Sequence, residues 1–234
     1  MKLDRRIGVV IAIAQEARMF PRHDIGEVAR VHEHLLVCVG GVGAERAQAA
    51  AQMLLARGAS ALLSWGVAVA LAPDLKAGRV LLPRAVIAAD GTLLPVSSAW
   101  HEEISANSGL DVRPIAEARS LLATPEDKRA LGQTRYAAAA DMESAAIARV
   151  AQRAQVPFLI VRAVADDCAM QVPAWLMSCM NPRGQVRPAR FLTQLMQHPR
   201  DAVAVARVAR AFSAAQAALT GFNRRHLQAP LASA

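Results

Sequence analysis

Along the chain, uninterrupted aliphatic runs alternate with stretches in which apolar residues return every three or four positions. The first run, Ile7 to Ile13, is bounded by charge, the pattern of a strand buried on both faces in a largely parallel sheet. Leu35 to Val39 repeats it and ends in Gly40, Gly41, Val42 and Gly43. Ala47, Ala50, Ala51, Leu54 and Leu55 then keep helical spacing until Gly58. Ala61 to Trp65 reads as the next strand, and Val80 to Ile87 as another behind the turn signals Pro73, Asp74 and Gly78. Residues from about Ala88 to Leu110 look irregular. Ser120 to Ala123 reads as a short strand, and Thr124 caps a helix opening at Pro125 with Glu126 and Asp127 in its first turn. Ala137 to Ala140 leads into a helix with Glu143 near its start and the stripe Ile147, Val150, Ala151 and Ala154; Phe158 to Val164 follows as a strand. From about Val172 the pattern is helical, with Val205, Val208, Phe212 and Leu219 sharing one face of the segment from Asp201 to Thr220.

Strands alternating with helices predict the α/β class, a three-layer α/β/α sandwich around a mixed, mostly parallel central sheet. No linker composition sets off a second unit, so residues 1–234 read as one domain with a helical C-terminal extension from about 172. At 54% hydrophobic residues the chain has ample material for a core, and at 4% aromatics that core must be built from aliphatic side chains and alanine. Cys38, Cys168 and Cys179 form no CxxC pair and have no histidine at metal-ligand spacing, which argues against a disulfide framework or a metal site and makes a reducing cytoplasm the expectation. The apolar start leads into Gln15, Glu16 and Arg18 without a small-residue cleavage site, and reads as a strand in place of a signal peptide. The uncharged stretch between Arg57 and Asp74 is too short and too rich in glycine and serine to span a bilayer. The net charge of +8 is spread along the chain as single arginines, so nucleic acid is not the expected partner.

Four places carry candidate chemistry. The turn GGVGAER puts Arg46 where a dinucleotide fingerprint needs its third glycine; what is left is either a tight turn or a set of approachable N–H groups at a helix start, able to face a sugar hydroxyl or an anion. Glu16, after the first strand, is either a favourable first-turn charge or a site carboxylate. In DMESAA, Asp141 or Ser144 can cap the helix while Glu143 sits in its first turn. In VRAVADD, Asp166 and Asp167 follow a buried strand at the sheet edge where α/β proteins place ligands, although a solvated loop fits the same spacing. The histidines are assigned no role: His32 and His34 lie two apart on one strand, and His101, His198 and His226 are isolated.

Together, IGVVIAIAQEA, the glycine turn, SWGVAVALAPDLKAGRVLLP, DMESAAIARV and PFLIVRAVADD resemble, in order and spacing, the superfamily of purine nucleoside phosphorylases and 5′-methylthioadenosine/S-adenosylhomocysteine nucleosidases. The resemblance runs from about Ile7 to Asp167. Within that superfamily, ATPEDKRAL, DMES, NPRGQVRPARFLTQLMQHP and the trailing helix are most similar to the hopanoid-associated phosphorylases, which release adenine from adenosylhopane. The resemblance implies Asp166 as the acid at N7 of the departing purine, Glu143 and Met142 as the residues that hold the ribosyl group, and Glu16 as the carboxylate that positions and deprotonates water. Gly66 and Val67 fall in the segment that lies against base and ribose, where GVAVA replaces the GSAGG-like loop of the nucleosidases. In the hexameric phosphorylases that loop supplies an arginine and a serine to phosphate. Here Ser64 and Val67 stand at those positions, which favours water as the nucleophile unless Arg46 or Arg84 substitutes. No metal and no organic cofactor is implied. The expected partners are a purine nucleoside, hopanoid-linked, a membrane surface met by the stretch from Trp175 to Met180 and the last helix, and a second copy of the chain. Methylthioadenosine nucleosidase or nucleoside phosphorylase activity in salvage, and non-catalytic nucleoside or lipid binding, are the alternatives.

Overall fold

The computed structural model describes residues 5–20, 24–106, 108–179, 181 and 187–227. Met180 and residues 182–186 of the segment NPRGQVRP lie outside the described residues. In chain order the strands are β1 (Ile7–Ile11), β2 (Val28–His32), β3 (Leu35–Val39), β4 (Ala61–Ala70), β5 (Val80–Leu81), β6 (Ala85–Ile87), β7 (Leu93–Pro95), β8 (Ile115–Glu117), β9 (Ala139–Asp141) and β10 (Phe158–Asp166). The helices are α1 (Ala44–Ala56), α2 (Ser98–Ser105), α3 (Pro125–Arg135), α4 (Ser144–Arg153), the single turn α5 (Trp175–Ser178), α6 (Pro188–Gln197) and α7 (Ala202–His226). A 3-10 turn, Ala14–Ala17, follows β1.

One mixed sheet of ten strands, with helices on both faces, organises them. β1 lies between β3 and β4 and β10 on the far side of β4, all four parallel. β4 outlasts β1, and beyond Trp65 its free edge is taken by β9, antiparallel at Val69 and Ala70. One face of the sheet is covered by α1 and α4, whose alanines Ala47, Ala50, Ala51, Ala145 and Ala148 let the helix axes approach closely. The other is covered by α7, which sets Ala215, Leu219 and Phe222 against β4 and β10; Trp65 packs edge-on to Phe20 and tilted to Phe222, with ring centroids 6.0 Å apart in both pairs.

The structure corrects four expectations. β4 runs to Ala70, so GVAVA is strand and not loop: its small and β-branched residues pair with β10 from Gly66 to Val69. The run from Val80 to Ile87 is two short strands, because Pro83 has no N–H for a ladder and the N–H groups beside it, on Leu82 and Arg84, go to Asp111 O and Val112 O. The stretch thought irregular contains β7 and α2. The short strand is Ile115–Glu117, paired with β6 and β9, and not Ser120 to Ala123.

Candidate active site

At the carboxyl ends of the parallel strands, four charged side chains meet inside the protein. Arg162, in the middle of the apolar strand β10, is 1% exposed. Its Nε lies 2.6 Å from Asp141 Oδ2, and Nη2 donates to Ser64 Oγ at 2.7 Å and Ser144 Oγ at 3.2 Å. Ser144 donates to Asp141 Oδ2, which leaves Ser64 to donate to Ser144 across 2.9 Å. Asp141 Oδ1 accepts from the backbone N–H groups of Glu143 (3.2 Å) and Ser144 (3.0 Å), so Asp141 serves the start of α4 and anchors Arg162 at once. Burial works against the Arg162 charge, and Asp141, Glu143 and Glu16 more than restore it, holding its pKa above the usual arginine value.

The 3-10 turn after β1 swings Glu16 into this cluster. Its Oε1 accepts from the Val67 N–H at 2.8 Å and its Oε2 from the Ile13 N–H at 3.3 Å. Gly66 makes the approach possible: with φ at +155°, a Cβ there would stand 2.5 Å from Arg162 Nη1 and 2.7 Å from Glu16 Oε1. Burial pushes the Glu16 carboxyl up to about 7, with Glu143 adding to the rise and Arg162 and the two N–H donors opposing it. Glu143 is held from the other side: Oε1 accepts from Gly43 N–H at 2.9 Å and Oε2 from Met142 N–H at 3.3 Å. Gly43, at φ +100°, is the residue from which α1 starts, so the approachable N–H of the glycine turn serves a carboxylate of the protein itself. Burial first, then the Asp141 charge, raises the Glu143 carboxyl above the ordinary range.

Asp166 closes β10, four residues and roughly 13 Å along the strand from Arg162. It pairs with Val69 across a bulge, two positions beyond the Val67 that holds Glu16. Its Oδ1 accepts from Lys128 Nζ of α3 at 2.6 Å. Burial pushes Asp166 up to about 6, with the Lys128 ammonium opposing and Asp167 adding to the rise.

Glu16, Glu143, Gly66, Val67 and half-buried Met142 are thus neighbours, and Asp166 lies on the same sheet edge. Sequence reasoning missed Arg162 and Lys128 as parts of the site, gave Ser144 only a capping role, and placed Ser64 only as a substitution in the phosphate-binding segment. Only Arg162 left a signal, a charge in the middle of a run otherwise fit for full burial, which requires a buried partner. Ser64 sits with its hydroxyl between Arg162 and Ser144, while Arg46 and Arg84 are exposed. A separate cleft bounded by Leu94, Ser97, Gln152 and Phe158 lies at the opposite end of β10.

This sheet and its edge define an α/β protein with a buried carboxylate cluster where such folds take their ligands. The family model of the phosphorylase superfamily matches residues 6–103 and 113–196, and the chain belongs to that superfamily. Among solved structures it is similar to the Helicobacter pylori 5′-methylthioadenosine/S-adenosylhomocysteine nucleosidase, at TM-score 0.71 and 18% identity over 96% of this chain and 98% of that one. Futalosine hydrolase of the same organism superposes at 0.70 with 18% identity, covering 96% and 97%. The Streptococcus pyogenes S-adenosylhomocysteine nucleosidase, in complex with 5-methylthiotubericidin, gives 0.66 with 19% identity over 95% and 97%. No curated protein matches the chain.

Proposed function

We propose that this protein hydrolyses the N-glycosidic bond of a purine nucleoside, releasing adenine from adenosylhopane. The observation that carries the reading is the placement of two carboxyls on one sheet edge, Glu16 buried and held by the Val67 N–H and Asp166 partly buried and held by Lys128, with burial pushing them up to about 7 and about 6. As the bond from C1′ to N9 breaks, its electron pair leaves with the base and the sugar becomes oxocarbenium-like. Asp166 gives its proton to N7, and Glu143, with Met142 beside it, accepts from the ribosyl hydroxyls. Water held near Gly66 and Val67 attacks C1′ and passes its proton to Glu16. Purine and free ribosyl product account for every atom of nucleoside and water.

Water is favoured over phosphate because the Ser64 hydroxyl is fully committed to Arg162 and Ser144, and Val67 offers only its backbone N–H, already bonded to Glu16. An apolar substrate is favoured by the exposed Leu192, Met196 and Val203 of α6 and α7. From Arg187 to Leu227 the chain carries seven arginines, all exposed, against one acid, Asp201, which accepts from Trp175 Nε1 at 2.7 Å. That combination suits a surface that rests on anionic lipid and receives a membrane-embedded substrate.

Adenine released from detergent-dispersed adenosylhopane, with and without phosphate and beside methylthioadenosine, tests the reading. Release from the hopanoid without phosphate is the expected result. Release from methylthioadenosine alone moves the protein to nucleoside salvage, and a strict need for phosphate makes it a phosphorylase.

A further inference from the structure

Two cations are buried among the described residues, Arg162 and Lys128, and the carboxylate cluster accounts only for the first. Lys128 belongs to the polar helix start PEDKR, where a lysine is normally solvated, yet its exposure is 0%. Its ammonium spends all three N–H groups, on Asp166 Oδ1 (2.6 Å), Asp167 O (3.0 Å) and Met170 O (2.5 Å). Asp167–Met170 is a turn closed on itself, with Met170 N–H donating to Asp167 O at 3.1 Å and Ala169 N–H to Asp167 Oδ1 at 2.9 Å. Val172 N–H then donates to Ala123 O at 2.9 Å, so the chain leaving β10 is tied to the beginning of α3 at two points.

Anchoring that turn needs only the two carbonyls. The third bond takes one oxygen of Asp166 and leaves Oδ2 with no hydrogen-bond partner among the described residues. We propose that Lys128 is the positioning residue for Asp166: it fixes Oδ1, presents Oδ2 to the leaving base, and sets how readily that carboxyl gives up its proton. The inference rests on the reading of Asp166 as the acid. When the bond from C1′ to N9 breaks, the proton on Oδ2 passes to N7 and the electron pair of the broken bond is neutralised on the base. The carboxylate left behind is paired at once with the ammonium, which keeps its own three protons throughout. Without that charge the carboxyl holds its proton more tightly and is a weaker donor.

Lys128→Met keeps the length of the side chain and removes the charge. It is expected to lower kcat by about 10 to 100-fold with KM little changed, and to move the pH optimum of kcat/KM upward, while Lys128→Arg returns the optimum to its wild-type position. A folded Lys128→Met enzyme with the wild-type pH profile, however slow, makes Lys128 a structural residue only and overturns the inference. Should Lys128→Met not fold, the 15N resonance of the Lys128 ammonium in the unaltered protein carries the test. An inflection at the titration of Asp166, absent from Asp166→Asn, supports the coupling, and a flat profile overturns it. Asp166→Asn in the adenine assay separates the two readings: undiminished turnover removes the acid and the inference with it, whereas lost turnover beside an unmoved Lys128→Met profile removes the inference alone.

Discussion

Burying the Glu16 carboxyl beside Glu143 ties the stability of the fold to a single proton. The group moves from an ordinary value of 4.5 to about 7 on folding. A raised carboxyl contributes stability that is whole below the unfolded value and is lost as pH rises through the folded one. At pH 8 the ionised side chain therefore costs about 3 kcal/mol relative to its protonated form. Glu16→Gln, which resembles that form, is expected to melt above the wild type at pH 8, to lose the advantage near pH 4.5, and to release no adenine. Thermal unfolding at the two pH values checks this; a lower melting temperature at pH 8 would mean that pairing with Arg162 outweighs burial. The carboxylates of the site were legible because each follows a strand or opens a helix. Their cations were hidden for opposite reasons: Arg162 passes for one residue of a strand, and Lys128 for one more charge on a solvated helix.

Among the elements, β4 does most to bring the site together, because Ser64, Gly66 and Val67 each touch a different part of it. Gly66→Ala puts a methyl between Arg162 Nη1 and Glu16 Oε1, on side chains held by Asp141, Ser64 and Ser144 and by the Val67 N–H respectively. It is expected to cost about 1–3 kcal/mol of stability and to lower turnover by more than unfolding explains, since Glu16 must move. A melting curve and turnover measured together decide it, and wild-type values in both would show that β4 can shift. Leu35 to Val39, a continuous apolar run, was readable to the residue, whereas the run from Ile7 to Ile13 overshoots β1 by two residues, where the chain turns to bring in Glu16. The short elements were not readable. α2 buries Trp100, His101 and Ile104, but eight residues give too few turns for a periodic signal, and His101 is buried through a bond to Leu82 O at 2.7 Å that no local pattern announces.

On the scale of the whole molecule, charge is unevenly spread, with the exposed arginines of α6 and α7 beside Leu192, Met196 and Val203. The stretch Pro199–His226 has the length and the mean hydropathy, 1.2, of a bilayer-crossing helix, yet its second half is docked on the sheet through Ala215, Leu219 and Phe222. The proposed lipid contact therefore lies along the surface. The protein is expected to sediment with vesicles containing anionic phospholipid, less so as salt rises, and reversing Arg207 and Arg210 to glutamate should weaken this by more than 10-fold at about 1 kcal/mol per charge removed. Equal binding to neutral vesicles, or none to either, removes the reading.

The position of β10 also governs how the chain reaches this state. It is the last strand among the described residues but an interior one in space, pairing Phe158 with Leu62 and Arg162 with Leu81. A nascent chain can form β1, β3 and β4 early, but β4 then waits with an open apolar edge until a segment synthesised much later inserts beside it. That segment brings Arg162, so Glu16, Asp141 and Glu143 stay hydrated until their counterion arrives, and desiccation of the site and closure of the sheet become one late event.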